Sequence, residues 1–99
     1  MFYVYVIQSE TGLDRFYVGF SADLRQRLEQ HNDGSNHSTR GSRWRLVYYE
    51  AYLTRDAAIQ RERVLKGDGR TRRHLMERIR EMLDAREEPF NGGERRTGE

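Results

Sequence analysis

Residues 2–8, Phe-Tyr-Val-Tyr-Val-Ile-Gln, are an unbroken run of aromatic and β-branched side chains. Such a run favours a strand buried on both faces or at its centre. In a chain of 99 residues this commits much of the available core, because a domain of this size buries only about two-thirds of the surface its unfolded form exposes. One core, formed by residues 1–86 with no second lobe, is expected. Hydrophobic residues (35%) barely outnumber charged ones (34%), so that core must be small and aromatic-rich.

Turn chemistry at Glu10-Thr11-Gly12-Leu13-Asp14 separates the first run from Arg15-Phe16-Tyr17-Val18-Gly19-Phe20, and the two are expected to pair as an antiparallel hairpin. Tyr5 and Tyr17 then fall on one sheet face. Ser21 is a good N-cap for a helix over 22–31 whose apolar stripe is Leu24 and Leu28. Arg27 and His31, one turn apart, flank that stripe. Residues 32–43 are rich in Gly, Ser and Asn and read as a loop carrying His37, Ser38, Thr39, Arg40 and Arg43, donors that suit a phosphate backbone. Residues 44–52 give the third strand. Thr54 caps a second helix over 55–66, and a third runs over 71–86, with Leu75, Ile79 and Met82 or Leu83 toward the core. Pro89 and the polar residues after it read as a disordered tail over 87–99. The order is β-β-α-β-α-α: an α+β domain with a small, mainly antiparallel three-stranded sheet flanked by helices.

No cysteine is present, which excludes disulfides, thiolate zinc sites and cysteine nucleophiles. The N-terminus has neither a leading positive charge nor the ~20 apolar residues of a membrane span. A cytoplasmic protein without export signal or membrane contact is expected. Glycine-rich nucleotide loops, the Gly-x-Ser-x-Gly elbow and metalloprotease motifs are absent. Net charge is +2, but residues 61–80 hold eight bases against three acids, and 17 of the 18 cationic residues are arginine, the side chain suited to bidentate phosphate contacts. Solvation of helix faces explains such charge equally well.

The chemistry-bearing residues left are Tyr5, Tyr17, Arg27, His31 and Glu62, drawn from two strands and two helices. Ala58, Glu62 and Leu65 share a helix face, and a carboxylate there calls for a partner. Either an ion pair with Arg55 or Lys66 or a metal ion satisfies it. For the tyrosines the plain alternative is packing with a hydrogen-bonded hydroxyl; for Arg27 it is a pair with Asp23, and for His31 a helix C-terminal position. Trp44, Tyr48, Tyr49 and Tyr52 read as strand packing.

Tyr3-Val4-Tyr5, Tyr17-Val18-Gly19, Arg27 ten residues after Tyr17, His31 one turn later, the strand 44–50 and Ala58-Ile-Gln-Arg-Glu-Arg-Val-Leu-Lys66 come in the order found in GIY-YIG nucleases. Over residues 2–80 the chain resembles that family, in its small stand-alone bacterial form. The resemblance implies a DNA endonuclease acting in repair or recombination and leaving a 5′-phosphate, with one divalent ion, Mg²⁺ or Mn²⁺, on Glu62. It implies Arg27 on the scissile phosphate, Tyr5 or Tyr17 handling the attacking water, and His31 supporting that tyrosine. A free phenol ionises near ~10, so Arg27 and His31 are expected to lower it. Tyr3 stands where the family has glycine, Phe20 where several members have lysine, and His74 where many have asparagine. Thr39, Arg40, Arg43, Lys66, Arg70, Arg72 and Arg73 are candidate nucleic-acid contacts, and specificity would come from the 32–43 loop or from a partner protein that supplies targeting. The other readings are a binding module of the same fold without catalysis, and a protein-interaction module whose arginines meet an acidic partner.

Overall fold

The aromatic and β-branched run forms the middle of a sheet because both of its faces find cover. In the computed structural model, which describes residues 1–36 and 39–87, β1 (Phe2–Ser9) lies between β2 (Phe16–Ser21) and β3 (Trp44–Tyr52), antiparallel to both. Among the described residues three helices accompany the sheet: α1 (Leu24–Asn32), α2 (Arg55–Gly67) and α3 (Gly69–Glu87). The α+β class and element order are those expected. His37, Ser38 and the expected tail after Glu87 lie outside the described residues.

Alternation along the strands divides the apolar residues into two layers. Val4, Val6 and Val18 pack with Ala58 and Leu65 of α2 and with Leu75, Met76, Ile79 and Leu83 of α3. On the other face Tyr5, Ile7 and Trp44 pack with Tyr17, Leu24 and Leu28. The β1–β3 pairing slips between Val6 and Ile7, leaving Val47 as the extra residue. A one-residue slip reverses the faces of all that follow, and so Trp44 lands beside α1 while Tyr48 and Tyr52 stay with α2 and α3. Leu83 is the core residue of the last turns; Met82 is 49% exposed.

On β3, Glu50 draws Tyr48, Tyr52 and Arg61 together. Its carboxylate accepts from both phenols (2.6 and 2.5 Å) and from Arg61 Nε and Nη2 (2.9 and 3.0 Å). Burial alone pushes that carboxyl up, but the bonds from Arg61, Tyr48 and Tyr52 outweigh it and hold it below the usual range.

Two helix starts differ from expectation. Ser21 does not cap α1: it is the last residue of β2, paired with Tyr3, and its hydroxyl accepts from the Asp23 N–H (2.9 Å) and donates to the Asp23 carbonyl (2.8 Å). Asp23 is the N-cap, accepting from the Gln26 N–H. The third helix starts at Gly69 because Asp68 accepts from the Arg70 and Thr71 N–H groups, so the break after α2 is shorter than the expected gap between residues 66 and 71. Thr54 caps α2 as expected. No helix among the described residues is long and apolar enough to cross a membrane.

Candidate active site

Tyr5 and Tyr17 share a sheet face because Tyr5 pairs with Gly19 and Tyr17 with Ile7, two residues apart on each strand. The Tyr5 ring lies across Gly19: a Cβ there would overlap Tyr5 Oη and Cζ. Only a residue without a side chain admits the ring. Tyr5 is 3% exposed and bonded at its far end, so it has no space to retreat. Gly19→Ala is expected to destabilise the fold by about 1–3 kcal/mol, the usual cost of overpacking, and to lengthen the Tyr5–His31 contact. Thermal melting and the imidazole NMR signals of His31 measure the two effects.

At its outer end Tyr5 Oη lies 2.8 Å from His31 Nε2, and His31 Nδ1 lies 2.7 Å from Thr39 Oγ1. Thr39 in turn donates to the Asn36 carbonyl (3.4 Å). The direction of that last bond sets the others: Nδ1 carries the hydrogen and donates to Thr39, and Nε2 accepts from the Tyr5 hydroxyl. His31 is 1% exposed and Thr39 fully buried. Thr39 is therefore not a nucleic-acid contact; its hydroxyl is spent on holding His31. Trp44 fixes this segment, donating from Nε1 to the Thr39 carbonyl (2.9 Å) while Asn32 brackets the Trp44 backbone.

Burial lowers the His31 pKa from its ordinary value and Arg27 lowers it further, so the ring is neutral at pH 7. Burial likewise pushes the Tyr5 phenol up; Arg27 opposes, and Tyr17 and Glu62 add to the rise. The expectation that Arg27 and His31 make Tyr5 more acidic fails, because desolvation of the phenolate exceeds the attraction of one guanidinium.

Tyr17 is half-buried and packs edge-on to His31, ring centroids 5.1 Å apart. Lys66 Nζ lies 5.3 Å from the Tyr17 ring centroid and 3.2 Å from Glu62 Oε2. The ion pair that helix spacing allows thus forms, and it sits against the site phenol. Arg27 is half-buried and close enough to act on both Tyr5 and His31. Asp23, its candidate partner, caps α1 instead, and no carboxylate lies within 4.0 Å of Arg27 among the described residues. Tyr5, Tyr17, Arg27, His31, Glu62 and Lys66 therefore converge.

The other candidates do not join them. Arg40, Arg43 and Arg70 are exposed, Arg43 beside Glu10 at 3.7 Å. Arg72 and Arg73 line a hollow beside Phe16. His74 is exposed and lines a hollow with Arg61, Thr71, Leu75 and Arg78, to which none of the converging residues contributes. Thr39 and Asn32 were the supporting residues that motif spacing did not reveal.

No cluster of three or more metal-binding side chains occurs among the described residues. A single half-buried carboxylate, Glu62, is a donor set that suits a hard ion keeping most of its water.

Among known proteins, a UPF0213 protein of Haloquadratum walsbyi is 33% identical over 76 residues, spanning 75% of this chain and 83% of that protein. A UPF0213 protein of Streptococcus pneumoniae serotype 4 is 30% identical over 66 residues, 65% of each. The solution NMR structure of a UPF0213 protein from Bacillus halodurans is 28% identical and aligns over 78% of this chain and 84% of that one, with a TM-score of 0.46. The family model of the GIY-YIG catalytic domain matches residues 1–81, a span that holds every residue of the converging set, and the chain belongs to the GIY-YIG family.

Proposed function

We propose that this protein is a divalent-metal-dependent endonuclease that hydrolyses DNA phosphodiesters. The observation that carries the reading is Arg27, a half-buried guanidinium without a carboxylate partner among the described residues, set beside two phenols and a neutral imidazole. Such a group fits an arriving phosphate and offsets the charge that grows in the transition state. Glu62 would hold Mg²⁺ or Mn²⁺, which supplies polarisation of the phosphoryl oxygens and of a bound water. Tyr17, on the solvent side, is the phenol placed to orient the attacking water. Tyr5, tied to His31, holds the ring layer behind it. Water oxygen adds to phosphorus as the bond to the 3′-oxygen breaks, leaving a 5′-phosphate and a 3′-hydroxyl. Repair or recombination is the setting that the resemblance implies; a cytoplasmic location and targeting by a partner protein complete the proposal.

The Glu62–Lys66 pair favours the other reading, a DNA-binding module without catalysis, since it already neutralises the carboxylate. Incubation of the pure protein with branched, nicked, single-stranded and duplex DNA decides between them. Cutting in Mg²⁺ or Mn²⁺ that EDTA, Arg27→Ala and Glu62→Ala each abolish supports the nuclease. Salt-sensitive binding without metal-dependent cutting supports the module, and equal traces of cutting by all three proteins defeat the nuclease reading.

A further inference from the structure

The β2 strand is an edge of the sheet, and unpaired edges normally need protection. Here cations cover it. Arg72 Nη2 donates to the Phe16 carbonyl (3.3 Å). The Arg80 guanidinium lies 5.1 Å from the Phe16 ring centroid, Lys66 Nζ 5.3 Å from that of Tyr17, and the Arg55 guanidinium 5.7 Å from that of Phe20. Lys66 belongs to the site already described. At the first residue of the strand Arg72, Arg73 and Arg80 line a cavity of about 220 Å³ with Asp14, Phe16, Gly69 and Met76.

We propose that this cavity is a phosphate subsite, in which Arg72, Arg73 and Arg80 hold the backbone of a DNA strand a few nucleotides from the bond that reacts. The inference rests on the nucleic-acid reading above and extends it to where the strand runs. Three guanidinium groups face one carboxylate, Asp14, in the cavity wall. No carboxylate lies within 4.0 Å of any of the three among the described residues. A guanidinium lying over an aromatic face keeps its N–H edge for other acceptors, which leaves Arg80 anchored by Phe16 and still able to grip an oxygen. Arg72 is oriented by its bond to the strand, and Arg73 is exposed.

Position then makes the ligand a nucleic acid rather than a free anion. Phe16, which the cavity shares, immediately precedes Tyr17 on the edge strand, its ring on the α2/α3 face and that of Tyr17 on the α1 face. A DNA strand that reaches Arg27 and Tyr17 and continues round the β2 edge meets the cavity within a few nucleotides, at ~3.4 Å of rise each. Asp68 already takes the first amides of α3, so the subsite depends on side chains and not on the helix end.

The test measures binding of a short fluorescein-labelled DNA duplex by anisotropy across a salt series in EDTA, where cutting cannot interfere. Arg73→Gln and Arg80→Gln are each expected to reduce the slope of log K against log salt by about 0.9 and to weaken binding roughly eightfold at 0.1 M salt. Arg63→Gln, exposed on α2 and absent from the cavity wall, keeps the wild-type slope. Arg73 is the decisive position because its truncation removes no internal contact, and melting curves confirm that each variant folds. In the cleavage assay the same variants raise KM and leave kcat within about threefold. If wild type binds with a steep salt slope and the Arg73→Gln/Arg80→Gln protein matches it, the subsite is wrong while the nucleic-acid reading stands. If both lose slope but nothing is ever cut, the subsite stands and the nuclease reading falls. Absence of salt-dependent binding by wild type overturns both.

Discussion

Tyr17→Phe is expected to fold as wild type and cut DNA some 10²–10⁴-fold more slowly, the range that a positioned proton-transfer group contributes. Tyr5→Phe is expected to do the reverse, costing about 1–2 kcal/mol of stability while kcat changes by less than about tenfold. The two phenols differ in what surrounds them. Tyr5 is 3% exposed, and its hydroxyl is committed to His31 Nε2; removing it strands a buried acceptor, which carries a penalty of that size. Tyr17 is half-buried beside Lys66, so its hydroxyl is the one within reach of substrate water. Burial also holds the Tyr5 proton on, above the ordinary phenol range. Its contribution to stability is thus complete below about pH 10 and is lost as pH rises further. Single-turnover cleavage and thermal melting of both variants check the assignment. A Tyr5→Phe protein that melts as wild type yet cannot cut would transfer the role to Tyr5.

The strands were legible because each carries a run that no helix pattern matches, and the central position of β1 follows from its having no polar face. Thr54 was legible as a cap because nothing competes for it. At residues 21–23 two good caps stand two apart, and only the pairing of Ser21 with Tyr3 decides for Asp23. The bulge at Val47 leaves no mark in a strand that is apolar or aromatic at most positions, and with it the placement of Trp44 beside α1 was hidden. Arg27, His31 and both tyrosines could be singled out by spacing, since one hairpin and one helix turn set their separations. Thr39 could not: it sits eight residues after His31 in a polar segment that reads as exposed loop, and its burial comes from Trp44 folding over it. The same applies to Arg72 and Arg80. As residues of a charged helix they read as solvated, and only the β2 edge against them shows that they lie on Phe16.

His31→Ala is expected to cost about 3–5 kcal/mol of stability, lowering Tm by on the order of 20 °C for a domain of this size. Two effects add. The ring is 1% exposed and wedged edge-on against Tyr5 and Tyr17, so truncation opens a cavity among aromatic neighbours. It also leaves the buried Tyr5 hydroxyl without its partner, at about 1–3 kcal/mol for a group left unsatisfied, and takes from Thr39 the N–H it accepts while its bond to the Asn36 carbonyl remains. His31→Gln, which keeps a carbonyl and an amide, is expected to recover part of the loss. The pH dependence separates this role from simple packing. Burial, with Arg27 assisting, holds the His31 pKa below its ordinary value, so below about pH 6.5 the unfolded chain binds a proton there that the folded chain refuses. Wild-type stability contributed by this group is whole above that pH and declines as pH falls toward the folded-state pKa. Urea titrations at pH 7.5 and pH 5.5 should show the His31→Ala penalty shrinking at the lower pH, because the variant lacks the group that carries the decline. A penalty below about 1 kcal/mol, or one that grows on acidification, would mean that the imidazole is protonated in the fold and that Tyr5 donates its hydrogen elsewhere.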